Sequence, residues 1–175
     1  MKTCQVSYKN KIPVELPFGK TIHQFKNGHS ITSDTAFLVE KVLENNSDKN
    51  LKVLELGSGN GIISIMLAHN RPSWNITGIE IQKKLVNLAL ENSKSAEVQI
   101  KFINADLKED TFPPQNFDLI VSNPPYFPKK AGNVSPNKEK AISTHEILCT
   151  MEDVFRSVKY NLKKEGKAYL IYPLT

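Results

Sequence analysis

Leu51-Lys52-Val53-Leu54-Glu55-Leu56-Gly57-Ser58-Gly59-Asn60-Gly61 is the stretch whose reading decides the fold. Its first six residues read as a strand, and Ile62 to Ala68, after the glycines, reads as a helix. Glycines at a strand-to-helix turn let the backbone swing tightly and come close to a ligand. The spacing discriminates between ligands. A dinucleotide site wants G-x-G-x-x-G, which would put a glycine where Ile62 stands, and the Lys-Ser/Thr pair of a triphosphate loop is absent. What remains is G-x-G-x-G with Glu55 two positions before the first glycine. The plainer alternative is a glycine-rich structural turn.

Downstream, the pattern alternates. Asn75 to Glu80 reads as a strand, Lys83 to Ser93 as a helix, Val98 to Ile103 and Phe117 to Val121 as strands. Ile147 to Leu162 reads as a helix and Ala168 to Tyr172 as a fifth strand. This alternation predicts an α/β fold with a mostly parallel sheet and helices on both faces. Upstream, Ile12 to Leu16 and Thr21 to Phe25 alternate in hydrophobicity around Pro17-Phe18-Gly19-Lys20, a hairpin signal. Asn27-Gly28-His29 is a turn. Thr32-Ser33-Asp34 offers an N-cap to a helix whose apolar face is Ala36, Phe37, Val39 and Leu43. Asn45 to Asn50 is a polar linker.

A chain of 175 residues suits one domain with a full core. The 39% hydrophobic and 23% charged content is that of a soluble globular protein, and no run approaches membrane-spanning length. Cys4 and Cys149 are too few for a disulfide framework and read as reduced thiols in a cytoplasmic protein. A net charge of +5 permits a polyanionic partner without requiring one. No metal site is expected.

The chemistry-bearing residues fall after strands. Glu80 ends the second strand, where a carboxylate can accept two ribose hydroxyls, although exposed glutamates at strand ends are common. Asp106, after the third strand, suits a contact to an adenine amine, and a helix N-cap role is compatible with it. Asn123-Pro124-Pro125-Tyr126 follows the fourth strand. Two prolines cannot continue a sheet, so the chain leaves it stiffly after Asn123. An amide oxygen, a carbonyl and an aromatic ring held together can grip a planar amine. All these positions lie at carboxyl ends of strands, the rim where open α/β sheets bind ligands.

The G-x-G-x-G turn with its preceding acid resembles that of S-adenosylmethionine (SAM) methyltransferases, a Rossmann-like fold. Asn123-Pro124-Pro125-Tyr126 resembles the [Asn/Asp/Ser]-Pro-Pro-aromatic motif of methyltransferases acting on planar nitrogens. From about Lys20 onward the chain is similar to the bacterial tRNA(Val) N6-adenosine methyltransferase family. Phe25 to Leu38 is similar to that family's segment closing over SAM, with Asp34 at its acidic position, and Ala141 to Leu148 resembles its stretch after the Asn-Pro-Pro-Tyr loop. Thr144 stands where members often carry Arg before the His145-Glu146 pair.

The resemblance implies SAM as cofactor, held by Asp34, Glu55, Gly57, Gly59, Gly61, Glu80, Asp106 and Asn123. It implies methyl transfer to adenosine N6 in tRNA near the anticodon, with Asn123 and Pro124 accepting the amine hydrogens and Tyr126 stacking on the base. Pro125, Tyr126, Lys129 and Lys130 would contact RNA, although a Lys-rich loop is ordinarily just solvated. Glu146 reads as a helix N-terminal carboxylate rather than a catalytic group, Trp74 as a packing residue and Cys149 as core on the last helix. Residues 1–50 are expected to form a hairpin and helix covering the SAM site, and residues 51–175 the methyltransferase core. Related enzymes continue with a helix and two more strands, so the core is expected to be C-terminally truncated, with Ala168 to Tyr172 as an open edge. Two alternatives stay open: glutamine N5-methylation of a release factor, which shares the planar-nitrogen motif, and a non-catalytic SAM- or RNA-binding fragment. DNA adenine methylation ranks below them, since no target-recognition domain is evident.

Overall fold

The computed structural model describes residues 10–26, 32–47, 50–123 and 149–172. Strands β1 (Lys11–Glu15) and β2 (Thr21–Phe25) precede helix α1 (Ser33–Glu44). Then come β3 (Lys52–Leu56), α2 (Ile62–Asn70), β4 (Asn75–Glu80), α3 (Lys83–Ser95), β5 (Lys101–Asn104), β6 (Phe117–Ser122), α4 (Met151–Asn161) and β7 (Leu162–Leu170). The expectations for Cys4, Asn27 to His29, Pro124, Pro125, Tyr126, Lys129, Lys130, His145 and Glu146 lie outside the described residues.

Strands β3 to β7 form one parallel sheet in the order β5-β4-β3-β6-β7. The chain lays down β3, winds outward through β4 and β5, then crosses back to β6 and β7. The winding direction therefore reverses between β3 and β6, and at such a reversal the loops leaving the two strands diverge to open a crevice. β3 reads as an almost continuous apolar run because both faces of a parallel sheet are covered. Val53, Ile76, Leu119 and Val121 pack with α1, α2 and the hairpin residues Leu16 and Ile22. Leu54, Leu56, Ile79 and Ile120 pack on the other face with Val154 of α4. Trp74 is buried in the first of these clusters, a packing role as expected.

The β1–β2 hairpin is antiparallel, with Ile12 opposite Gln24 and Val14 opposite Ile22. It packs against α3, and Phe18 at its turn stacks on His69 of α2 with ring centroids 3.7 Å apart.

Three elements start three or more residues away from the sequence reading. β5 begins at Lys101 rather than Val98, because Glu97 takes a positive φ of 58° and the Val98 amide still bonds back to Ser93. α4 begins at Met151, because Thr150 and Asp153 form a reciprocal capping box that fixes its start. Cys149 therefore precedes the helix, half-buried against the second cluster rather than on it. β7 starts directly after α4, at Leu162 rather than Ala168. It passes through an irregularity at Phe117 and Leu119 of β6 before regular pairing resumes at Lys167.

Candidate functional site at the carboxyl rim of the sheet

The turn after β3 is built from positive-φ glycines: Gly57 at 69°, Gly59 at 54° and Gly61 at 84°. L-residues with a Cβ are strained there. The sites differ in surroundings. A Cβ on Gly57 or Gly59 would meet nothing within 4 Å, whereas one on Gly61 would lie 2.8 Å from the Phe102 ring and 3.0 Å from Ala89. The first two glycines thus leave open space beside the backbone, and the third lets α2 close on α3 and β5.

The turn is held from several sides. The Ser58 amide donates to the Ile79 carbonyl and the Gly61 amide to the Ser58 carbonyl. Glu80, at the end of β4 and 7% exposed, accepts from the Gly59 amide through Oε2 (3.1 Å) and from the Gln82 amide through Oε1 (2.9 Å). Charge-assisted bonds of this kind are stronger than neutral ones. Ile81, next in the chain, is an exposed large apolar residue on the same rim. Asn104 donates to the Glu80 and Ile81 carbonyls, which brings the end of β5 to the end of β4. Asp106 follows; its Oδ1 accepts from the Lys108 amide and its Oδ2 lies 3.4 Å from Lys108 Nζ.

Asn123 leaves β6 at the same rim. Leu56 is in register with Ser122, and the Ser122 hydroxyl donates to the Leu56 carbonyl at 2.8 Å. The half-buried Asn123 is therefore next along from Ser122, just as Gly57 is next along from Leu56. The structure thus gathers Gly57, Gly59, Gly61, Glu80, Asp106 and Asn123 at one end of the sheet. Asp34 stands apart from this network: it is exposed in the first turn of α1, which packs on α2.

Glu55 is placed differently from the rest. It is 2% exposed, and both the amide and the hydroxyl of Ser64 on α2 donate to its Oε2. Burial pushes its carboxyl up to about 8, with the Ser64 bonds acting the other way. Its side chain thus secures α2 to β3 from beneath the turn. Ser64, nine residues downstream, could not have been singled out as its partner from spacing. Ile81 carried no motif that would have marked it, and Asn104 stood out only as the residue two before Asp106.

Among the described residues no group of three or more metal-ligating side chains is found, and no helix is long and apolar enough to cross a membrane. A shallow cleft of about 760 Å³ lies at the amino ends of β4 and β5, lined by Trp74, Asn75, Lys94, Lys101 and Phe102. It is at the opposite end of the strands from the rim and has none of its carboxylates.

Comparison with known proteins fits this geometry. Residues 27–172 match the family model described as "Methyltransferase small domain". The chain is 36% identical over 144 residues to the release factor glutamine methyltransferase of Streptococcus pneumoniae, covering 78% of this chain and 51% of that protein. It is 32% identical over 124 residues to the tRNA1(Val) (adenine(37)-N6)-methyltransferase of Pedobacter heparinus, covering 70% and 52%. The chain thus spans about half the length of these relatives. Among solved structures, the precorrin-6y C5,15-methyltransferase of Geobacter metallireducens superposes with a TM-score of 0.60 at 17% identity, over 85% of this chain and 66% of that one. That likeness shows the Rossmann-like doubly wound fold.

Proposed function

The chain belongs to the methyltransferase small domain family, and from that premise we propose that it holds SAM at the glycine turn and methylates the exocyclic N6 of an adenosine in tRNA. The observation that carries this reading is the register of Leu56 with Ser122, which sets Asn123 beside the turn that would hold the methyl donor.

The residues present fit SAM. The open side of Gly57 and Gly59 admits a ligand against the backbone. The Glu80 carboxylate, fixed by two amides at the end of β4, stands on the rim where ribose hydroxyls would be received. Ile81 offers an apolar surface for a flat ring, and Asp106 an acceptor for its amine. Glu55 acts indirectly, by fixing α2 under the turn. Asp34 would approach from α1, and residues 1–50 would cover the site as hairpin and helix.

SAM supplies an activated methyl group on a sulfonium, already a good leaving group, so the protein's part is mainly to position the acceptor. The lone pair of an exocyclic amine is delocalised into its ring. The Asn123 side-chain oxygen and the Pro124 carbonyl accept its two hydrogens, which localises that lone pair and offsets the charge developing on nitrogen. Tyr126 stacks on the base and offsets part of the cost of splaying it from an RNA loop. The net charge of +5 suits a polyanionic partner, with Lys129 and Lys130 next to the motif.

Adenosine is preferred on the resemblance of two segments, Phe25 to Leu38 and Ala141 to Leu148. A second reading, methylation of a glutamine amide on a release factor, is favoured by the similarity to the Streptococcus pneumoniae protein. Incubation with methyl-labelled SAM and separate pools of tRNA, rRNA, DNA and release factor separates the two. Label recovered from tRNA as N6-methyladenosine supports the first reading; label on release-factor glutamine replaces it with the second.

A further inference from the structure

Asn92 lies within α3, outside the motifs of the sequence, and is 1% exposed. Its side chain makes three hydrogen bonds of 2.9 Å to two separate parts of the chain. Oδ1 accepts from the His23 amide, while Nδ2 donates to the His23 carbonyl and to the Asn60 carbonyl. The first two contacts treat β2 as a neighbouring strand would, meeting both backbone groups of one residue. The third reaches into the glycine turn. Both amide hydrogens and the carbonyl oxygen are used, so the buried group is satisfied only while hairpin and turn stand where they do. Two ion pairs between the hairpin and the α3 region, Lys11 to Glu91 at 2.5 Å and Lys20 to Glu97 at 2.7 Å, do not involve the turn.

We propose that Asn92 is a positioning residue that couples the N-terminal hairpin to the cofactor turn. The inference rests on the reading of that turn as a SAM site. Asn60 sits between Gly59, whose amide is held by Glu80, and Gly61, whose amide is held by the Ser58 carbonyl. A peptide is planar, so gripping the Asn60 carbonyl also orients the Gly61 amide. Asn92 thus holds the turn at a second point besides Glu80, through a group that also holds β2. A ligand that favours this shape of the turn favours the docked hairpin, and the docked hairpin favours the ligand by the same factor.

The test is hydrogen exchange at the His23 amide, with and without SAM, beside calorimetry of SAM binding, on the full chain and on Asn92→Asp. The variant keeps the shape and the Oδ1 acceptor but cannot donate to either carbonyl. In the unaltered chain SAM should slow exchange at His23 about 10-fold, and Asn92→Asp should lose both that slowing and about 10-fold in SAM affinity. SAM bound by the unaltered chain with no change at His23 overturns the coupling, even if the variant fails to fold. A folded Asn92→Asp chain that binds SAM undiminished overturns it as well. If the unaltered chain binds no SAM, the reading of the turn falls, and this role with it.

Discussion

The Gly59 amide donates to the Glu80 carboxylate at 3.1 Å, so the end of β4 holds the middle of the turn that follows β3. Two adjacent parallel strands are thereby fastened at their carboxyl ends by a charged acceptor that is nearly buried. Replacing Glu80 by Ala leaves the Gly59 and Gln82 amides without that acceptor. Bonds to charged groups contribute about 1.5–3 kcal/mol, and Glu80→Ala should lower the unfolding free energy by about that amount in urea titrations. A loss of under about 0.5 kcal/mol, the range of ordinary surface changes, would mean the turn does not depend on Glu80.

Gly59 and Gly61 should respond differently to alanine. At Gly61 the new methyl would stand 2.8 Å from the Phe102 ring, at a φ of 84°. Left-handed strain and overpacking together put the cost of Gly61→Ala on the order of 2–5 kcal/mol. At Gly59 nothing stands within 4 Å, so only the strain, roughly 1–2 kcal/mol, applies. Its methyl would instead project into the space assigned to the ligand. Thermal unfolding should therefore rank Gly61→Ala well below Gly59→Ala, and equal midpoints would contradict the packing described.

Glu55 gives the fold a pH dependence. Its carboxyl rises from an ordinary 4.5 to about 8 because burial penalises the charged form. Between those values the folded chain binds a proton that the unfolded chain does not, so this group's contribution is greatest below pH 4.5 and falls as pH rises toward 8. Urea midpoints should accordingly drop across pH 5 to 8 more steeply for the unaltered chain than for Glu55→Gln, which has no proton to lose. Parallel curves would show that Glu55 is ionised in the fold.

Asn123→Ala should separate binding from chemistry. If its amide oxygen acts only on the acceptor amine, kcat should fall by about 10²–10³, the loss typical of one positioned polar group. SAM affinity should stay within about 3-fold, under 1 kcal/mol. Equal losses in both would make Asn123 a part of the turn's framework.

Much of this was legible in the sequence because the signals are local. Asn75 to Glu80 reads as a strand with the limits the structure gives it, since apolar residues and a carboxyl-end acid mark it off. The hairpin followed from alternation around a Pro-Phe-Gly turn, and the rim from the position of each motif after its strand. Several of the misses trace to tertiary structure. Lys163 to Lys167 carries no apolar alternation, and its pairing beside β6 decides that it is extended. Asn92 reads as an ordinary polar helix residue; its three bonds exist only once β2 and the glycine turn are brought to α3. Glu55 has the position of a ligand-binding acid in the motif, yet its carboxylate is turned to a helix serine that no spacing rule points to.

The turn from Gly57 to Gly61, with Glu80, is proposed to hold SAM. Calorimetric titration of the chain with SAM, beside Gly59→Ala and with NAD as a control ligand, tests it most directly. One SAM per chain is expected, with no heat from NAD and an affinity at least ~10-fold weaker, about 1.4 kcal/mol, in a Gly59→Ala chain that remains folded. A folded chain that binds no SAM, or a Gly59→Ala chain that binds it undiminished, would contradict it.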